Sequence, residues 1–434
     1  MKNAFSLSRL AVALCASASL IACGGQSALD TDDSNIIGGV LASSKTLNAI
    51  GTVGMMDRSG NYQFFCSATL IGPSTVLTAK HCAVVLSGAA QGMKLVNLTK
   101  IFFAVGSNAI KPVKVVEAIA ASISPVEGGA GFVGLGNDVS IYQLIEPITD
   151  IKPFKVAGSP LKDATTAGTN DIGAKFIGIG YGAKDIVEDI TGNLSGLRRM
   201  GTETMRALKG KSFELLLGSF DAFYDQLVYV YGKDVVDYNL DLVKSWYNDT
   251  TILEGYEAWA GHAEGDVQTC HGDSGGPLVR KVGGEKQIYG VVSGGWFSRD
   301  LTCDYGTFYA TIGPKTQELV KAGLAYTDPC RDQKTGTLLT VKGACQGNVA
   351  TRCTDKYEGD RRKSVVNCAE LDLVCKTDAA GIAGCVDASD TNPNNGVDTP
   401  ADAPTVDLVK KDVEAAAQGK FRKAAQALSK GAKK

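Results

Sequence analysis

Histidine is scarce in this chain, three residues in 434, and the scarcity confines any imidazole chemistry to His81, His262 and His271. Net charge is almost absent as well, at −2. No excess of positive charge is available to neutralise a phosphate backbone, so no specific nucleic acid partner is expected. The apolar run from Leu10 to Ile21 is too short to cross a membrane as a helix, which takes roughly 20 residues. No two cysteines stand in a CxxC pair and no histidine follows His271. Structural zinc is therefore not expected in the C-terminal third, and neither a metal nor a cofactor is expected elsewhere. Finally, no lysine or arginine occurs between Arg9 and Lys45, a gap that matters below.

What is present reads as an ordinary globular composition, 44% hydrophobic and 21% charged, with enough length for one large domain and additions. Twelve cysteines stand out. Lys2 and Arg9 ahead of the apolar run make residues 1–22 a signal peptide. It ends in "LIAC", similar to the lipobox of bacterial lipoproteins, which would make Cys23 the acylated first residue; the plainer alternative is an ordinary signal peptide with a spare cysteine. Either way the mature chain is exported, to a bacterial cell envelope or beyond it, and disulfides are permitted. The acidic stretch "GGQSALDTDDSN" completes a propeptide over 23–35, followed by "IIGG" at 36–39.

Short apolar or alternating runs broken by glycine then follow: "NAIGTVGMM", "QFFCSATLIG", "TVLTAKHC", "IFFAVGS", "VKVVEAIA" and "DVSIYQLI", and later "AKFIGIGYG", "GGPLVRKV", "QIYGVVSGG" and "GTFYATI". Many short strands with frequent turns indicate an all-β sandwich or barrel.

The stretch "CHGDSGGP", residues 270–277, sets a serine among glycines. Asp273, one residue before Ser274, points away from it in most backbone geometries, so another group must be the base. All three histidines precede Ser274, which excludes the serine, acid, histidine order of the α/β-hydrolases. His271 is three residues from the serine and His262 lies in a glycine-flanked loop, so neither is obviously held. His81 ends the strand-like "LTAKHC" beside Cys82, with Cys66 sixteen positions earlier; a bridge between them would add about 3 kcal/mol and fix His81. Asp138, opening the apolar "DVSIYQL", supplies a carboxylate of the kind that orients an imidazole.

Together, "IIGG", "LTAKHC", "NDVSI", "FIGIGYG", "CHGDSGGP" and "GVVSGG", in this order over residues 36–326, resemble the trypsin-like serine endopeptidases of the chymotrypsin family. The resemblance implies two six-stranded antiparallel β-barrels. It further implies His81 as general base and then acid, Asp138 as its orienter, Ser274 as nucleophile, and the N–H groups of Gly272 and Ser274 as oxyanion hole. Ser293 matches the serine beside the buried aspartate, and Cys270 with Cys303 the pair that ties the nucleophile loop to the far wall of the specificity pocket. Asp273 would then pair with the α-amino group that Ile36 gains when the Asn35–Ile36 bond is cut, making the chain a zymogen. Substrates would be proteins or peptides and the enzyme a monomer. A surface adhesion or binding protein on the same scaffold is the alternative.

Three departures qualify the resemblance. The residue before the cut is Asn35, because the basic residue usual at such sites is missing, and cutting there would also free the enzyme from a lipid on Cys23. Gln268, six residues before Ser274, stands where members that cut after Arg or Lys carry an aspartate, which argues against that specificity; Gly295 keeps the pocket entrance open and Gly294 replaces a frequent tryptophan. An aromatic-rich insertion at about 198–258, including "FELLLGSFDAFYDQLVYVYG", reads as partly helical, either a subdomain with its own small core or an exosite for protein substrates. Beyond it, six cysteines within 327–388 form a disulfide-rich module with fifteen possible connectivities, 389–406 reads as a disordered linker, and 407–434 as a basic amphipathic tail suited to an anionic membrane or simply to solvent.

Overall fold

The computed structural model describes residues 36–389, apart from 58, 83–100, 124–137, 164–169, 193, 298–302, 332–335, 341 and 354–362. The signal peptide, Cys23, the propeptide with Asn35, the linker beyond residue 389 and the basic tail lie outside the described residues.

Six strands, β1 (Ile50–Met56), β2 (Tyr62–Gly72), β3 (Thr75–Thr78), β4 (Ile101–Val105), β5 (Lys114–Ile123) and β6 (Ser140–Leu144), close into a barrel in the order β1-β2-β3-β6-β5-β4. A second six, β7 (Lys175–Gly180), β8 (Arg199–Ala207), β9 (Glu257–Ala260), β10 (Pro277–Val282), β11 (Glu285–Phe297) and β12 (Cys303–Thr311), pair in the order β7-β8-β9-β12-β11-β10, and β10 pairs back onto β7. The two sets thus repeat one strand order. The expected architecture of two antiparallel six-stranded barrels is the observed one.

Every residue of β3 and β6 is buried, because the inner face fills the barrel while a helix covers the outer one. That helix is α6 (Pro314–Leu324), whose Gly323 lies so close to β6 that an added Cβ would sit 2.7 Å from an Ile141 methyl. Its carbonyl accepts a hydrogen bond from Gln143 Nε2 at 2.7 Å. A continuous apolar core joins the barrels: Val53, Leu70 and Phe103 of the first and Ile179, Val279 and Val291 of the second belong to one buried cluster, each contributing roughly 1.5–3 kcal/mol of hydrophobic stabilisation. At the seam lies fully buried Arg198. It donates to the carbonyls of Ala42, Leu47, Ile50, Gly106 and Ser44 at 2.8–3.3 Å, and so ties the start of the domain to both barrels.

The insertion is narrower than the expected 198–258. Arg199–Ala207 and Glu257–Ala260 are barrel strands, and the inserted helices are α2 (Ser212–Leu217), α3 (Phe220–Tyr231), α4 (Lys233–Tyr238) and α5 (Leu240–Asp249). Gly218, at φ +79°, ends α2, and the Ser219 hydroxyl accepts from the Ala222 N–H to start α3; the dipeptide Gly-Ser is thus a stop and a start. Phe213, Phe223, Val236, Val243 and Tyr247 make a core of the insertion's own.

A separate compact unit includes Pro329–Asp355 and continues beyond residue 361. It contains a three-stranded sheet (Ala344–Gln346, Val349–Cys353, Lys363–Asn367) and a hairpin (Val374–Thr377 with Ala383–Val386). Of the fifteen connectivities the observed one is Cys330–Cys353, Cys345–Cys375 and Cys368–Cys385.

Candidate active site

His81 follows the end of β3, and its neighbour Cys82 is bonded to Cys66 of β2. Asp138 stands just before β6, the strand paired with β3. Strand pairing therefore brings the two together. Asp138 is fully buried and holds the histidine at both ends: one oxygen accepts the His81 backbone N–H at 2.8 Å, and the other lies 2.7 Å from Nδ1. That second oxygen also accepts the Ser293 hydroxyl at 2.7 Å. With Nδ1–H facing a carboxylate, Nε2 is the ring's basic nitrogen. Burial pulls the His81 imidazole down, but the Asp138 carboxylate outweighs it and holds the ring above its ordinary value. Burial pushes Asp138 up, while His81 and the hydrogen bonds it accepts bring it below the usual carboxylate range. The pair is an imidazole–carboxylate base, about a quarter exposed on the histidine side.

Ser274 sits in the loop before β10, which is tied through its backbone to β2 and β11. The Ser67 N–H, next to bridged Cys66, donates to the Ser274 carbonyl at 2.8 Å. The Gly275 N–H donates to the Val292 carbonyl, and the Val292 N–H to that of Gly276, both at 2.8 Å; Val292 adjoins Ser293, which holds Asp138. Glycine is required at 275, where φ is +79° and an added Cβ would lie 2.1 Å from the Thr78 hydroxyl.

The turn ahead of the serine is fixed peptide by peptide. Ala183 N–H donates to the His271 carbonyl at 2.9 Å, and Gly276 N–H to the Asp273 carbonyl at 2.7 Å. In a planar trans peptide the N–H points opposite to its carbonyl, so these anchors turn the N–H groups of Gly272 and Ser274 away from the protein contacts. Neither has a backbone acceptor among the described residues. The Gly272 carbonyl in turn accepts the Ser67 hydroxyl at 2.9 Å, and the same hydroxyl accepts the Tyr181 N–H. Ser67 was not singled out from sequence, where it is one ordinary serine in a strand.

His271 proves to be held after all, with Nδ1 2.5 Å from Asp189 on α1 (Ile186–Thr191). His262 packs against Trp259 and Tyr305. Asp273 is fully buried, its carboxylate accepting the N–H groups of Gly182 at 2.8 Å and Cys270 at 2.9 Å. Burial pushes it up to about 7 against those hydrogen bonds. Ile36 is 1% exposed, and Ile37 forms a β-bridge with Gln268. The Gln268 amide oxygen accepts the Gly306 N–H at 2.7 Å. Cys270 is bonded to Cys303, and Gly295 is exposed opposite Gly306, whose carbonyl an added Cβ would meet at 3.1 Å.

Sequence reasoning also passed over Glu203. Fully buried on β8, it accepts from Thr307 at 3.4 Å, and Thr307 is in turn 2.7 Å from the Thr269 hydroxyl beside Gln268. Burial pushes the Glu203 carboxyl up to about 8, which favours its neutral form near pH 7. A lone glutamate in a charged stretch gives no sign of this.

Two like-ordered antiparallel barrels with a histidine–aspartate pair positioned as in catalytic sites define a serine-protease scaffold. The sequence profile of the family described as Trypsin matches residues 37–191 and 233–313, more than half of the chain, and the chain belongs to that family. The stretch between the matched segments holds β8 and the first two inserted helices. The chain is 26% identical over 261 residues to a protein of Streptomyces glaucescens named "Trypsin-like protease", a match covering 60% of this chain and 75% of that one. Among solved structures it is similar to the scabies mite inactivated protease paralogue S-D1, at 16% identity and a TM-score of 0.41, over 66% of this chain and 96% of that one.

Proposed function

We propose that this protein is an exported serine endopeptidase, made as a zymogen and activated by cleavage between Asn35 and Ile36. The Ser274 hydroxyl attacks the scissile carbonyl as His81 Nε2 takes its proton; Asp138 steadies the imidazolium. The Gly272 and Ser274 N–H groups receive the oxyanion, His81 returns the proton to the leaving amine, and water then releases the acyl group by the same steps reversed. The observation that carries this reading is the Asp138 carboxylate bonded to His81 and Ser293, with the Ser274 loop hydrogen-bonded to Ser67, next to the Cys66–Cys82 bridge, and to Val292, next to Ser293.

The activation step rests on Asp273. A buried carboxylate whose partners here are two backbone N–H groups has room in its chemistry for a cation, and the α-amino group of a cut Ile36 supplies one. Gln268, Ser293 and Gly295 line the specificity pocket in this reading. Substrates are proteins or peptides, and the enzyme works as a monomer. A lipid on Cys23 would hold the uncut chain in the envelope, and cleavage after Asn35 would release it; the basic tail and the disulfide-rich module would add surface contacts.

The test is a peptide-library digest, read by mass spectrometry, with the processed chain beginning at Ile36 and the same chain carrying Ser274→Ala. Cuts present in the first and missing from the second are expected. No cuts in either, together with no labelling of Ser274 by a fluorophosphonate, would overturn the peptidase reading in favour of a binding protein.

A further inference from the structure

Gln268 is 9% exposed, and its amide has one available orientation. Only the oxygen can accept the Gly306 N–H, so the bond at 2.7 Å assigns Nε2 to the other corner. No acceptor for Nε2 is found among the described residues. Gly261 and Gly306 pass beside the amide without side chains; an added Cβ on Gly261 would lie 3.8 Å from the amide oxygen, and Gly306 holds φ +84° where one would lie 2.5 Å from Trp259 Nε1. Gly295 pairs with Thr307 across the strands and is exposed. The neighbouring hydroxyls are turned elsewhere, Thr269 to Thr307 and Thr307 to Glu203. What the Gln268 amide has left to offer a side chain is the pair of N–H donors on Nε2.

Resting on the peptidase reading, we infer that Gln268 selects the residue before the scissile bond by donating to it, so that the enzyme cuts after glutamine and asparagine. Their side-chain carbonyls accept from Nε2. Lysine and arginine bring only donors and meet donors. Leucine leaves the amide unpaired in a desolvated slot, a penalty of ~10- to 100-fold in kcat/KM. A carboxylate is attracted to the N–H groups but surrenders its hydration with no cation to replace it. Glu203, the acid bonded into this hydroxyl chain among the described residues, has its carboxyl pushed up by burial to about 8, which favours its neutral form near pH 7 and weakens its pull on a cation. One consequence concerns the chain itself. Asn35 belongs to the preferred class, and the bond after it becomes a substrate of the processed enzyme, which makes activation self-propagating.

The experiment measures kcat/KM for one peptide series varied only at the residue before the cut (Gln, Asn, Glu, Leu, Ala, Lys, Arg), using the processed chain, with Ser274 titrated by a fluorophosphonate in each preparation. Glutamine and asparagine should lead the others by at least about tenfold. The variant Gln268→Glu keeps an oxygen on the Gly306 N–H and exchanges the donors for a charged acceptor of the same size; its preference should pass to lysine and arginine. In a third arm, a trace of processed enzyme should cut full-length Ser274→Ala chain after Asn35, and should leave Asn35→Leu in that chain intact. A titratable Ser274 with equal or greater activity on the leucine or arginine peptide overturns the inference and leaves the peptidase reading standing. Absence of fluorophosphonate labelling overturns both. Should Gln268→Glu fail to fold, the wild-type series alone decides.

Discussion

Consider Asp273 in the uncut chain, held as Ser274→Ala so that it stays uncut. The carboxyl is fully buried and accepts two backbone N–H bonds, yet burial raises it from 3.8 to about 7. The ionised form in the fold is therefore disfavoured by about 4 kcal/mol relative to the unfolded chain. Because the folded state binds more protons than the unfolded state between these two values, stability must fall as pH rises from about 4 to about 7 and stay low above it. Asp273→Asn abolishes that term while adding a cost that does not vary with pH, since the new NH2 faces one of the two N–H donors. The measurable quantity is thus the pH slope, not the absolute stability. Urea unfolding of both proteins from pH 4 to 8 should show the chain that keeps Asp273 losing on the order of 4 kcal/mol more than the Asp273→Asn variant. Glu257, raised by burial to about 7, depresses both proteins in the same way and cancels in the difference; Glu203, raised chiefly by burial to about 8 and further by the Asp273 charge, adds to the difference in the same direction. In the proposed processed chain the Ile36 ammonium would be the counter-ion, and the excess loss should disappear. Parallel pH profiles for the two uncut proteins would refute the reasoning.

Asp138→Asn should lower kcat/KM by a factor on the order of 10⁴, the size attached to this substitution in the family's triad, and should shift the acid limb of the residual pH–rate profile downward, because the carboxylate is what holds His81 above its ordinary value. Removing the bridge with Cys66→Ala and Cys82→Ala, sixteen residues apart, should cost about 3 kcal/mol in urea unfolding and reduce kcat through a loosened His81. Arg198→Met should destabilise by roughly 3–5 kcal/mol, since five carbonyls lose their donor; calorimetry should find Arg198→Lys nearly as damaging, because an ammonium has three donors where the guanidinium has five.

Much of the site could be read from the chain because its chemistry is local in sequence. The glycines around Ser274, the strand that ends at His81 and the strand that opens at Asp138 each carry their signal in a few residues, and the order of serine and histidines excluded the other hydrolase arrangement. Periodic apolar runs between turns likewise fixed an all-β class. The start of the insertion was misread for a physical reason: Arg199–Ala207 carries Arg199, Glu203 and Arg206 and lacks the look of a barrel strand, and only the folded barrel reveals that Glu203 lies inside, where burial raises its carboxyl.

What tertiary structure alone decided are the contacts between segments far apart in the chain. Ser67 reaches Gly272 across 205 residues and so positions the turn that carries Ser274. His271 finds Asp189, 82 residues away. The three bridges of the C-terminal unit were one choice among fifteen, since spacing constrains loop length but not which strand edges meet. Gln268 was legible as a neutral floor, but whether it donates or accepts depends on which atom the Gly306 N–H engages, and that partner lies 38 residues on. Sequence determined which groups this protein has to work with; packing determined which of their hydrogen bonds were already used.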